Sequence, residues 1–555
     1  MARATRGVDT GLVSYDAARE DLVAWRTSYP ANPFDADHSL REGLAHYVLP
    51  PRLSRLEHRA RDFAAHVVDV VAPAALRYEQ RAHLPELARY DGIGQRLEEV
   101  SFDPSYHVAG DAVWSSGLIG LSGQSGSAFE QMVLLYLLSA EGEAGHACPA
   151  TCTIGLARAL RRRGDLEVRE RFLPALLDVD YARAERGAQF LTEVQGGSDV
   201  GANACVAESI GDGTYRISGE KWFCSVADAD QFFVTARLAG AGPGTRGLGS
   251  FVVPRVLDGA PNGFSLRRLK DKLGTRGLAS GEIDFDGARA WPVGPLEEGF
   301  RTAVSVVLNT SRWMTAVGSA GIMRRALVEA AGFAQHRRAF GQLIGQFPSL
   351  QRTLADMAAL TQGALGLVLA LTDLEDRLDA GGANDQDLYV HRFLVNATKL
   401  VVSSQASVVV RQGIEVLGGN GTIEEFSVLP RLYRDAIVYE SWEGTHNVLA
   451  AQVLNDLRRL PLLDAVAAHI AEPMAKAPFA AQVEEQMDAL ARCVEDTAYA
   501  AWHFRAHLER LGVLLEALYA PGPAAEHLVA SVTPGYDAAH DPGFAERVTA
   551  LIAGV

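Results

Sequence analysis

The 555-residue chain contains no uninterrupted apolar run of eighteen residues, so its sequence implies no membrane span. It has only five cysteines, Cys148, Cys152, Cys205, Cys224 and Cys493. Their odd number and scattered spacing argue against a disulfide framework. Cys148 and Cys152 are four apart, close enough to share a helix face, and read as buried thiols. A Walker loop, a Rossmann fingerprint and a zinc-type Cys/His cluster are all missing, which removes the commonest nucleotide and metal sites. Basic charge is scarce: 52 Lys and Arg against 68 Asp and Glu leave a net charge of -16. On average such a chain repels phosphate backbones and acidic membranes. The start, Met1-Ala2-Arg3-Ala4-Thr5-Arg6-Gly7, lacks the apolar centre of a signal peptide, so a cytoplasmic protein is expected.

With 48% hydrophobic and 22% charged residues, the composition is that of a globular protein. The length exceeds one hydrophobic core, so several domains are expected. Residues 1–183 read as mostly helical, with a polar break from Ser115 to Ser127 and a buried helix from Phe129 to Ala140. Arg161-Arg162-Arg163 reads as a solvated helix end. Residues 184–295 change to short β-rich runs, among them Phe232 to Ala236 and Ser250 to Val253, separated by Gly and Pro. They predict a small antiparallel sheet closed by Trp291-Pro292. Residues 296–455 return to long helices. Leu360, Leu367, Leu371, Leu374 and Leu378 keep one face, as in a helical bundle. Residues 456–555 predict an appended helical extension, with fourteen acidic side chains against seven basic ones. The fold class is therefore α+β, in the order helical, β, helical.

Three runs carry chemistry. The first is Leu191-Thr192-Glu193-Val194-Gln195-Gly196-Gly197-Ser198, whose glycines let backbone amides approach a ligand and whose hydroxyls can bond it. Read alone, it is equally a Gly-rich turn between domains. The second is Gly418-Gly419-Asn420-Gly421. The third is Tyr439-Glu440-Ser441-Trp442-Glu443-Gly444-Thr445-His446-Asn447. Glu443 alone reads as an acid near a helix start. A buried carboxylate, however, is also a sensible base for a carbon-bound proton.

Together the three runs resemble the flavin-dependent acyl-CoA dehydrogenases, from about residue 85 to 455. Ala88-Arg89-Tyr90-Asp91, Arg96 to Val100, Cys148-Pro149-Ala150-Thr151, Leu269 to Gly274 and Pro348 resemble its AidB-like branch. The resemblance implies FAD as cofactor and Glu443 as the base that takes the α-proton of an acyl thioester, on CoA or on a carrier protein. In the isovaleryl branch the base stands just ahead of an arginine. Here that arginine is Arg312, and Ser311 before it cannot serve. Arg312 would orient the substrate, while Asn309 stands where several members carry an acid near the CoA arm. Leu191, Thr192, Gly197 and Ser198 would meet the flavin ring edge and pyrophosphate. Phe223 and Ser225, in Lys221-Trp222-Phe223-Cys224-Ser225, would line the ring, and Thr445 and Asn447 would contact it. Arg337 and Phe340, in His336 to Gly341, would reach a neighbouring subunit's FAD with Glu415, Gly418 and Gly419. The resemblance thus implies a homodimer or homotetramer, with an electron-transfer flavoprotein as electron acceptor. Two further readings stay open: a DNA-associated flavoprotein of the alkylation response, and a flavin oxidase or monooxygenase using oxygen. The acidic extension argues against the first, and retention of Glu443 against the second.

Overall fold

The computed structural model describes residues 14–554. The Met1–Gly7 stretch lies outside them. Helices dominate from Tyr15 to Leu176. Inside this region, Glu86–Tyr90 pairs antiparallel with Arg96–Ser101. This hairpin interrupts what the sequence predicts as helical, because its strands are mostly exposed and their few apolar residues do not alternate along the sequence, although Leu87 and Val100 pack partly buried on the sheet core.

The β region is one seven-stranded sheet. Its spatial order is Phe264–Leu269, Ser280–Pro292, Tyr215–Ser225, Val206–Ser209, Gln231–Leu238 and Gly187–Phe190. Leu248–Pro254 joins both Gln231–Leu238 and the end of Ser280–Pro292. The sheet is mixed rather than antiparallel: Gly187–Phe190 and Val206–Ser209 both run parallel to Gln231–Leu238. Alternation reports burial, not strand direction, so the sequence could not show this. Phe190, Phe232, Phe251 and Ile283 fill one face.

Three long helices, Asn309–His336, Pro348–Asp379 and Asp385–Leu417, build the bundle. Asn384 opens the last with a reciprocal capping box to Asp387, and Gly418 closes it at φ +63°. Pro348–Asp379 and Asp385–Thr422 contain windows apolar enough for a membrane span, but these windows are 83% and 89% buried inside the protein. Their apolarity is that of core helices. Arg161 and Arg162 do not end their helix in solvent; both pair with the buried Asp379.

The extension is docked closely. Helix Thr497–Tyr519 packs on both Pro348–Asp379 and Asp385–Leu417 through Leu508, Leu511 and Leu515. Contact is close enough that a Cβ on Gly512 would strike Val401, and one on Gly366 would strike the Tyr519 carbonyl. Glu516 is fully buried in this seam, and its one side-chain partner among the described residues is Gln405, at 2.7 Å. Burial pushes its carboxyl up to about 8. The folded form keeps its proton from about pH 4.5 to 8, where the unfolded chain releases it, so folding loses stability across that window. Glu516→Gln is expected to raise the melting temperature, more at pH 8 than at pH 5. An equal gain at both pH values would refute the assignment.

Candidate active site

Sheet, bundle and N-terminal helices enclose a cavity of about 690 Å³. Leu191, Thr192, Gly197, Ser198, Phe223 and Ser225 line its sheet side, and Arg312, Glu443 and Thr445 its bundle side. The loop after Phe190 is anchored by a buried pair. Lys221 Nζ donates to Glu193 Oε1 at 2.6 Å, to the Thr235 carbonyl at 2.8 Å and to the Leu191 carbonyl at 3.4 Å. Glu193 also accepts from the backbone N–H groups of Ala204 and Cys205. Burial opposes its charge, but Lys221 and these donors hold the carboxyl below its ordinary range. The Trp222 N–H reaches the Thr192 carbonyl at 3.0 Å. The loop thereby presents Thr192, Gly197 and Ser198 to the cavity.

Glu443 sits in the turn between helices Leu429–Ser441 and His446–Leu457, at φ +56°. That left-handed conformation costs a non-glycine residue about 1–3 kcal/mol unless its surroundings impose it. Two buried cations do so. Lys399 Nζ donates to the Glu440 and Gly444 carbonyls at 2.8 and 2.9 Å, and Arg312 Nε to the Glu443 carbonyl at 3.0 Å. Arg312 is itself held by Asn396 Oδ1 at 2.9 Å. The Glu443 side chain faces the cavity, where Gln189 Nε2 donates to Oε1 at 3.2 Å and to Ser311 Oγ at 2.8 Å. Burial pushes the carboxyl up to about 7, with Arg312 and Lys399 pulling the other way. Burial likewise brings Lys399 down to about 7, opposed by Glu443. A carboxyl poised near neutrality can take a proton at one pH and hold it at another.

Other expected site residues lie elsewhere. Asn309 opens on a separate polar cavity of about 400 Å³, with Arg161, Arg162, Ser305, Thr310 and His391. It touches the site only through Arg312 Nη1, at 3.4 Å. Asn447 points outward and accepts from Arg505 of the extension at 2.8 Å. Arg337, Phe340, Glu415, Gly418 and Gly419 are all outside the cavity. Phe340 is 97% exposed at φ +51°, and the Glu415 side chain lies in solvent beside Arg411. Gln189, Lys399 and Asn396 escaped the sequence reading. The one signal was a lysine and an asparagine inside the apolar run 393–402.

Three family models match the chain. The adaptive response protein AidB N-terminal domain covers residues 27–183, the acyl-CoA dehydrogenase middle domain 188–288, and the acyl-CoA dehydrogenase C-terminal domain 297–457. AidB of Escherichia coli (strain K12) is 36% identical over 387 residues, spanning 68% of this chain and 69% of that protein. The structure of Caenorhabditis elegans ACDH-11 in complex with C11-CoA superposes with a TM-score of 0.82 at 26% identity, over 94% of this chain and 91% of that one. An acyl-CoA dehydrogenase complexed with FAD from Bacillus anthracis superposes at 0.68 and 20% identity, over 92% and 88%, a likeness of fold.

Proposed function

Since the chain belongs to the acyl-CoA dehydrogenase family, we propose that it binds FAD in the 690 Å³ cavity and dehydrogenates an acyl thioester between its α and β carbons. The observation that carries this reading is Glu443, a partly buried carboxyl on the cavity wall with a raised affinity for protons. The residues present suit the cofactor. Phe223 and Ser225 offer a flat wall with a hydroxyl, and Thr192 and Ser198 offer hydroxyls along the loop. The Thr445 side chain caps no helix N–H and is free to face a ligand. When bound, FAD supplies the hydride acceptor at N5. Glu443 removes the α-proton, Gln189 aims the carboxylate, and Arg312 and Lys399 hold the turn without touching the carboxyl oxygens.

CoA is the default carrier, and the C11-CoA in the C. elegans relative supports it. A carrier-protein thioester would leave the chemistry unchanged. Electrons would leave to an electron-transfer flavoprotein, with oxygen as the alternative acceptor. Phe340, Arg337, Glu415, Gly418 and Gly419 would serve the FAD of a second subunit. A 97% exposed aromatic ring in a left-handed backbone supports that role, since its one aromatic neighbour among the described residues, Phe347, meets it only edge-on at 6.2 Å. Arg337→Ala is accordingly expected to purify with less FAD. Mixing it with Ser198→Ala, so that each hybrid dimer regains one intact site, should restore part. Undiminished FAD in Arg337→Ala would remove the shared site.

Anaerobic titration with a panel of acyl-CoAs, read as flavin bleaching, tests the reaction. A folded protein that refuses added FAD would end the reading. The bleaching rate should rise as pH passes 7, because Glu443 must be ionised to accept a proton. Lys399→Met removes a cation that favours the carboxylate, so the rise should move to higher pH, about tenfold in rate at acid pH per unit moved. A profile at its original pH would show that Lys399 acts on the backbone alone.

A further inference from the structure

Cys148 and Cys152 stand one turn apart on helix Ala147–Arg163, with their Sγ atoms 3.9 Å from each other. Both open on the cavity that holds Glu443, whereas Cys205, Cys224 and Cys493 are buried elsewhere. Gln189 Nε2 lies 3.6 Å from Cys152 Sγ and 3.2 Å from Glu443 Oε1, so one amide separates the thiol pair from the carboxyl. The spacing suits a shared ligand better than a disulfide. A disulfide needs Cβ atoms about 3.5–4.5 Å apart, while successive helical turns hold them at about 5–6 Å. A pyramidal trivalent centre holds its two sulfurs somewhat closer than the 3.9 Å seen, a gap that a small χ1 rotation of either thiol closes. No group of three or more His, Cys, Asp or Glu that could hold a metal ion occurs among the described residues. A zinc ion, which takes four ligands, is therefore poorly served. A trivalent arsenic centre that brings its own organic substituent needs only the two sulfurs.

We propose that Cys148 and Cys152 form a dithiol clamp for a monosubstituted trivalent arsenical, seated in the substrate cavity beside Gln189. In the capture step two As–S bonds form and the As=O bond is lost. Both thiol protons leave in the water released, and no electron is transferred. The contact with Cys148 and burial push the Cys152 thiol well above its ordinary range. Cys152 therefore rests as the thiol and is slow toward simple alkylation. A chelating reagent differs, because closing the second As–S bond on a preformed pair is intramolecular. An occupant would fill the cavity wall and compete for Gln189, so it should also block substrate. That second consequence rests on the proposed dehydrogenase reading; the binding itself does not.

Purified full-length protein should be treated with phenylarsine oxide and weighed by native mass spectrometry, which counts occupancy without flavin or substrate. One arsenical per chain is expected, released by dimercaptopropanol and retained against excess monothiol. Cys148→Ala and Cys152→Ala should each fall from one to none while keeping the wild-type melting temperature. A Cys205→Ser, Cys224→Ser, Cys493→Ser triple variant should still take one. Absence of the adduct from the wild type, or its survival in either single alanine variant, overturns the proposal. If the adduct forms but acyl-CoA bleaches the flavin undiminished, the clamp stands and its place in the substrate path falls.

Discussion

Glu443→Gln is expected to slow substrate-driven flavin bleaching by roughly 10²- to 10⁴-fold, the range for removing a general base, with FAD still bound. The amide keeps the shape of the side chain but cannot accept the α-proton. Retention of cofactor follows from the structure, because the turn is held through the main-chain carbonyls of Glu440, Glu443 and Gly444 rather than through the carboxyl group. Other acids are badly placed. Glu440 bonds Ser407 with its carboxyl, and Asp271 reaches the cavity from an exposed loop. Ser311 sits near Glu443 through Gln189 but has no carboxylate to offer. Anaerobic rapid-mixing of FAD-loaded wild type and variant with the best acyl-CoA gives the comparison. Bleaching at the normal rate in the variant would falsify the role of Glu443.

Local runs of unusual residues were readable from the sequence; partners brought in by packing were not. The loop from Leu191 to Ser198 and the turn at Glu443 carry their chemistry in consecutive positions, and the fold brings both to one cavity. Lys399 and Gln189 do as much for Glu443 as its neighbours in sequence, yet each is one polar residue in a helix or strand. Asn309 shows a different cause. Residues 303–308 form a π-turn at the start of the long bundle helix. The inserted residue shifts the helical phase. Phe300, Val304, Leu308, Ser311, Arg312 and Thr315 face the cavity of about 690 Å³, while Ser305, Asn309 and Thr310 face the other. The resemblance places Asn309 by its position in the chain and carries no information on which face of the helix it takes. Phe340 and Gly418 lie on the surface of the single chain, outside the cavity; in the proposed shared site their ligand would belong to another subunit.

Lys221→Met should cost about 3–5 kcal/mol of stability, the range for leaving one charge of a buried pair without its partner. Lys221 has no exposed surface and Glu193 is 3% exposed. In the variant, Glu193 would keep the Ala204 and Cys205 N–H groups and Gln195 but lose the one cation within bonding distance among the described residues. The Leu191 and Thr235 carbonyls would lose a donor as well. Loss should therefore appear twice, as a lower melting temperature and as a weaker hold on FAD, because the loop from Leu191 to Ser198 hangs on this pair. Adding Glu193→Gln tests the cause. Glutamine removes the stranded charge while an oxygen can still accept from the backbone donors, so the double variant should regain part of the loss. A double-mutant cycle then gives a coupling of at least about 1 kcal/mol if the two act as one unit. Additive losses would mean that Lys221 works only through the two carbonyls, and that the loop is set by strand pairing rather than by the ion pair.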